Sequence, residues 1–290
     1  MGSGSGMHAV WDCVGNGVFS VLHCREVILM KVNYHTHTYR CKHAGGTEED
    51  YIKAAIENDF DIIGISDHAP FPDYDFGYRM DYCELDEYIN TLGILRNTYK
   101  SDIRIYTGLE IEYFSKYDKY YEELLAKRGM DYMILGEHIY ERKYEVYQNI
   151  YNSDSTECYV EYANAIKQAL KTGYFKILAH PDLCMLCNFP WDYNCDKALD
   201  IIIDAVVSSG TIIEYNANGL RRGIQKFPDG DRYPYPHDKF WTKISQAGLP
   251  VVVGADSHSP EQLWDEYLML AYDNLKKLGF TPLKQDICRA

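Results

Sequence analysis

The chain has 290 residues, 46% of them hydrophobic and 25% charged. That composition excludes disordered and collagen-like classes, and the length suits one large domain or two small ones. Acidic residues outnumber basic ones 43 to 29, for a net charge of −14, which excludes a generic basic nucleic-acid footprint and argues against adhesion to an anionic membrane surface.

The chain opens with MGSGSG, a glycine–serine leader. Residues 7–29 follow as an extension, and 18–30 is fairly apolar but interrupted by Arg25 and Glu26. With no basic n-region and far fewer than about 20 apolar residues, neither a signal peptide nor a membrane span is expected there. The domain boundaries are therefore drawn as 1–29, leader and extension, and 30–290, a single barrel domain.

From Met30 the chain alternates short apolar runs with longer amphipathic ones. Strands are predicted over 31–34, 62–66, 103–109, 132–135, 175–179, 211–215 and 251–255, each a β-branched or apolar run suited to burial on both faces. A helix is predicted to open at Thr47, the N-cap of a capping box. Further helices are predicted over 117–128, 156–172, 197–208, 238–246 and 260–278, with glycines such as Gly210 and Gly248 at their ends. Long connections over 70–85 and 218–237 carry aromatics and arginines, which marks them as functional loops. Seven strands in βα succession predict a distorted TIM-like barrel of α/β class, with an open doubly wound sheet as the alternative.

Nine scattered cysteines fit a reducing, cytoplasmic setting better than a disulfide framework. The lone Cys184-Met185-Leu186-Cys187 has no second pair at zinc-binding spacing and reads as buried apolar side chains.

Histidine carries the functional signal. Seven of the ten histidines lie at or just past predicted strand ends: His35, His37, His43, His68, His138, His180 and His258. The third strand contributes Glu110, and Asp67 and Asp256 stand near His68 and His258. In a parallel barrel those ends share one face, where active sites are built. His35 and His37, like Asp256 and His258, are two residues apart, on one side of an extended segment. Imidazoles and carboxylates suit Zn²⁺, Mn²⁺ or Fe²⁺, and these donors suffice for two or three ions sharing a bridging carboxylate. The surplus positive charge would attract an anion such as phosphate.

The segments NYHTHTYRCKHA, ISDHAPFP, TGLEIEY, ILGEH, ILAHPD, IIEYNANGLRRG and GADSHSP, in that order, resemble the polymerase-and-histidinol-phosphatase (PHP) family, and its histidinol-phosphatase branch most. The resemblance runs from residue 30 to about 275. It implies a distorted (βα)7 barrel with a trinuclear metal site. One ion would take His35, His37, Glu110 and Asp256. A second would share Glu110 with His138 and His180, and a third would take His43, His68 and His258. The resemblance also implies an arginine on the phosphate: Arg221 first, with Arg222 beside it, and Arg79 as a second phosphate or lid residue. ILGEH departs from the family's GSVH by placing Glu137 beside the histidine.

The implied activity is metal-dependent hydrolysis of a small phosphomonoester, L-histidinol phosphate foremost, with Asp256, His258 and Glu110 as catalytic residues. No membrane or long nucleic acid is an expected partner. A PHP phosphoesterase acting on nucleotides or nucleic-acid ends, and a metal-stabilised module without turnover, are the alternatives.

Overall fold

The computed structural model describes residues 30–142 and 146–289. The leader and extension, with Cys13, Cys24, His8 and His23, lie outside the described residues.

Seven parallel strands form one sheet in sequence order: β1 (Val32–Asn33), β2 (Ile62–Ile65), β3 (Arg104–Ile111), β4 (Tyr132–Leu135), β5 (Ile177–Leu178), β6 (Ile212–Asn216) and β7 (Val251–Gly254). The sheet curls until its edges nearly meet. A parallel bridge between Thr36 and Ser257 spans the seam, and Asn33 Oδ1 accepts the Ala255 N–H at 2.9 Å. Seven helices cover the outside: α1 (Glu48–Glu57), α2 (Leu85–Thr98), α3 (Asp118–Ala126), α4 (Glu157–Leu170), α5 (Tyr193–Ser209), α6 (Asp238–Ala247) and α7 (Glu266–Lys277). The architecture is the predicted distorted (βα)7 barrel.

Strand parity divides the core. Residues such as Ile63, Ile105, Met133 and Val253 face the helices, while Ile62, Tyr106, Tyr132, Ile134, Ile177 and Val252 fill the barrel interior. The same inward parity carries Glu110 on β3, Glu214 on β6 and Asp256 after β7 to the C-terminal mouth.

Thr47 caps α1 through the expected capping box with Asp50, and Gly210 and Gly248 end α5 and α6 in the left-handed conformation. The predicted helix over 260–278 is split. Pro260–Trp264 is a 3-10 turn, and Asp265 restarts the chain by accepting the N–H groups of Tyr267 and Leu268. Two features go beyond the sequence expectation. Helix α2 covers a stretch assigned no element, and two hairpins, Ile139–Glu141 with Tyr147–Asn149 and Gln225–Phe227 with Gly230–Arg232, edge the mouth. No helix among the described residues is long and apolar enough to cross a membrane.

The C-terminal tail stoppers the far end of the barrel. Ile287 is 3% exposed and packs with Tyr34, Tyr106 and Tyr132, while Tyr34 donates its hydroxyl to Gln285 O at 2.9 Å. Asp286 takes the Tyr106 hydroxyl and pairs with Arg104. Ile287→Ala is expected to lower stability by about 2–4 kcal/mol in denaturant melts, because the barrel floor cannot collapse around the space left.

Candidate metal centre

The seven histidines and two of the three carboxylates converge at the mouth. Glu110 lies at the centre, and its two oxygens face different partners. Oε1 is 2.8 Å from His180 Nε2 and 3.6 Å from His138 Nε2. Oε2 is 3.2 Å from His35 Nε2, His37 Nε2 and His68 Nδ1. Asp256 Oδ1 closes the far side, 3.2 Å from His37 Nε2 and 3.6 Å from His35 Nε2. His43 and His258 form the outer edge with their Nε2 atoms 3.0 Å apart. A cavity of about 270 Å³ opens onto Glu110, His68, His138, Asp256 and His258.

These donors fit divalent cations. His35 and His37 also bring their Nε2 atoms to 3.0 Å, although a single proton can serve only one of two facing nitrogens. Among the described residues five donor groups fall within 4.8 Å: His35, His37 and Asp256; His35, Glu110 and His180; His37, His68 and Glu110; His43, His68 and His258; and His37, Cys41 and His258. Burial, then the neighbouring His37 charge, pushes the His258 imidazole down to about 3 and His68 well below its ordinary range, which leaves their lone pairs free. Burial opposes the charge on Glu110, but His35, His138 and His68 outweigh it and keep the carboxylate ionised. A Cβ at Gly136 would overlap the Glu110 carboxylate, so the chain leaving β4 passes close only because it carries no side chain there. His180 (φ 24°) and Asp256 (φ 44°) are held in the left-handed region, a strain typical of functional positions.

Partners behind the cluster set the ring orientations. Glu214 Oε1 stands 2.8 Å from His35 Nδ1, and its Oε2 accepts the His180 N–H at 3.1 Å and the Asn216 amide at 2.8 Å. Sequence reasoning missed Glu214. Its signal was its place on a strand, two residues from Asn216, with inward parity. Asp67 lies behind His37 rather than in the cluster. Its Oδ2 accepts from the Thr38 N–H and hydroxyl, and its Oδ1 is 3.8 Å from His37 Nδ1. Glu137 has the opposite parity to Gly136 and turns away from the cavity, accepting the Tyr113 N–H at 3.1 Å.

The arginines correct the sequence expectation. Arg221 does not reach the cavity. Its fork binds Asp265 (Nε to Oδ2, 2.6 Å) and the carbonyls of Ala255 and Gln262, tying β7 to the start of α7. Arg79 is 5% exposed and bidentate on Glu112 at 2.9 and 3.1 Å, so it holds a loop. Glu112 in turn sits 3.4 Å from His138 Nδ1. Arg222 is the arginine on the cavity wall, with its guanidinium over the Tyr235 ring. Tyr151, Tyr235, Asn218 and Gln262 complete the wall, and none of them was singled out by sequence.

A model of the PHP domain matches residues 33–218. The chain belongs to the PHP family. A Deinococcus radiodurans protein named a probable histidinol-phosphatase is 27% identical over 242 residues, 79% of this chain and 86% of that protein. The histidinol-phosphatase of Bacillus subtilis is 22% identical, over 79% of this chain and 94% of its own length. Among solved structures, a Lactococcus lactis histidinol phosphate phosphatase, crystallised with zinc, L-histidinol and phosphate, superposes with a TM-score of 0.67 over 89% of this chain and 98% of that one, at 18% identity. That likeness establishes a shared PHP barrel. Cys184 and Cys187, the isolated CxxC pair, are buried and belong to none of the donor groups of this PHP centre.

Proposed function

We propose that the chain is a cytoplasmic, metal-dependent phosphomonoesterase whose substrate is L-histidinol phosphate, and that residues 30–290 form its single catalytic domain. The observation that carries this reading is Glu110, whose two oxygens are divided among five imidazoles beneath a cavity walled by an arginine. The relatives' names supply the substrate.

In this reading His35, His37, Glu110 and Asp256 hold one divalent ion, Glu110, His138 and His180 a second, and His43, His68 and His258 a third, with Zn²⁺, Mn²⁺ and Fe²⁺ all suited to the donors. Bound ions would supply Lewis acidity that activates water and offsets charge on the phosphoryl oxygens. Arg222 grips those oxygens with its fork of donors. Asn216 and Asn218 hold Asp256 Oδ2 at 3.1 and 3.2 Å, leaving Oδ1 facing the cluster. The ionised Asp256 carboxylate, Oδ1 to His258 Nδ1 at 3.5 Å, would take up the proton released by the attacking water and pass it to the departing alcohol oxygen.

Arg222→Ala is expected to lower kcat/KM about ten- to hundredfold with metal content unchanged, and Arg222→Lys to recover part of the loss. Arg221→Ala is expected instead to destabilise the fold by about 1.5–3 kcal/mol in thermal melts, by freeing Asp265 and two carbonyls. A phosphate-release assay across L-histidinol phosphate, nucleoside monophosphates and short oligonucleotides tests the substrate. Histidinol phosphate should lead. A preference for nucleotides would move the chain to another phosphoesterase class, and no turnover of any of them would make it a binding module.

A further inference from the structure

A second cavity, about 290 Å³, adjoins the first. The two share His43, His68, His138, Tyr151 and Arg222. The second cavity's own walls are Phe76, Tyr78, Ile139 and Asn149, beside the buried Arg79. Its loop is fixed from behind. Arg79 binds Glu112 with both Nη atoms and donates to the carbonyls of Gly77 and Ala69, while Phe76 stacks on Phe114 with centroids 5.0 Å apart. Tyr78 is the most exposed aromatic on this anchored loop. It has φ 46°, in the left-handed region, and is 74% exposed. Its ring meets the edge of His43 at 5.6 Å and otherwise faces solvent. A bulky side chain held in that conformation at a cavity mouth points to a role beyond packing.

We infer that this second cavity receives the alcohol half of the phosphomonoester, and that Tyr78 is a specificity residue that stacks on a flat, cationic nitrogen heterocycle. The inference rests on the phosphomonoesterase reading and adds to it the place of the organic group. With the phosphoryl oxygens on Arg222, at the junction of the two cavities, the rest of the substrate extends between Tyr78 and Tyr151. Those ring faces attract a cation, and Asn149, whose Oδ1 accepts the Tyr151 N–H at 2.9 Å, presents its amide NH2 as a donor to a ring nitrogen. Glu112, the nearby carboxylate, is already paired with Arg79, so the aromatic faces carry the selection.

The test compares L-histidinol phosphate with alaninol phosphate, the same amino alcohol with a methyl in place of the imidazolylmethyl group, on the metal-containing enzyme. Tyr78→Ala should reduce the ratio of kcat/KM for the two substrates about tenfold, and Tyr78→Phe should preserve it. Calorimetry should show L-histidinol binding weakened in Tyr78→Ala and inorganic phosphate binding retained. Tyr78→Gly suits the left-handed backbone, guards against misfolding, and should behave like Tyr78→Ala. An unchanged ratio with unchanged histidinol binding would overturn the inference and leave the phosphatase reading standing. If the wild-type enzyme fails on histidinol phosphate, that reading falls. The subsite is then judged on phenyl against propyl phosphate, where an unchanged ratio in Tyr78→Ala overturns it.

Discussion

Glu110→Gln is expected to reduce phosphate release by about 10³-fold or more and to lower the bound-metal content measured by elemental analysis. The side chain is 1% exposed, and its Oε1 and Oε2 face two different groups of imidazoles. An amide keeps the shape but removes the charge, and it replaces one acceptor with a donor aimed at nitrogens that need their lone pairs free. The effect therefore reaches both sets of imidazoles at once, and adding metal should restore little. A variant with full metal content and near-normal turnover would show that Glu110 does not bridge the site.

Glu214→Gln should produce the second-largest effect by a different route. Glu214 orients His35 through Nδ1 and the His180 backbone through its N–H, but it belongs to none of the donor groups. A Cβ at Gly254 would overlap its carboxylate, so β7 passes close to this side chain only because it carries none there. Losing such a partner behind a metal ligand typically costs 10–100-fold in metal affinity or activity. Metal titration of the variant should show that loss, and excess metal should restore most of the turnover. Failure of excess metal to restore turnover would give Glu214 a role in the reaction itself.

The fold was legible because each barrel strand is a compact apolar run and most histidines follow one. Glu110, Asp256 and the seven histidines could be named because chemistry-bearing residues at successive strand ends of a parallel barrel must share a face. Glu214 was hidden because a carboxylate inside a strand looks like any other without the pleat parity, which became visible only with the register. Arg221 and Arg222 are neighbours in sequence, and only the one-turn helix Asn218–Arg221 decides which points inward. Asp265 captures the first, and the second is left on the cavity wall. Tyr78 and Tyr151 lie in loops whose course depends on tertiary anchors such as Arg79 on Glu112.

The central claim is that the clustered histidines and carboxylates hold metal in order to hydrolyse a phosphomonoester. The most direct test strips the purified protein with a chelator, measures residual metal, and follows phosphate release from L-histidinol phosphate as Zn²⁺, Mn²⁺ or Fe²⁺ is returned. Activity should vanish with the metal and return as more than one equivalent is restored. Undiminished phosphate release from metal-free protein would contradict the account.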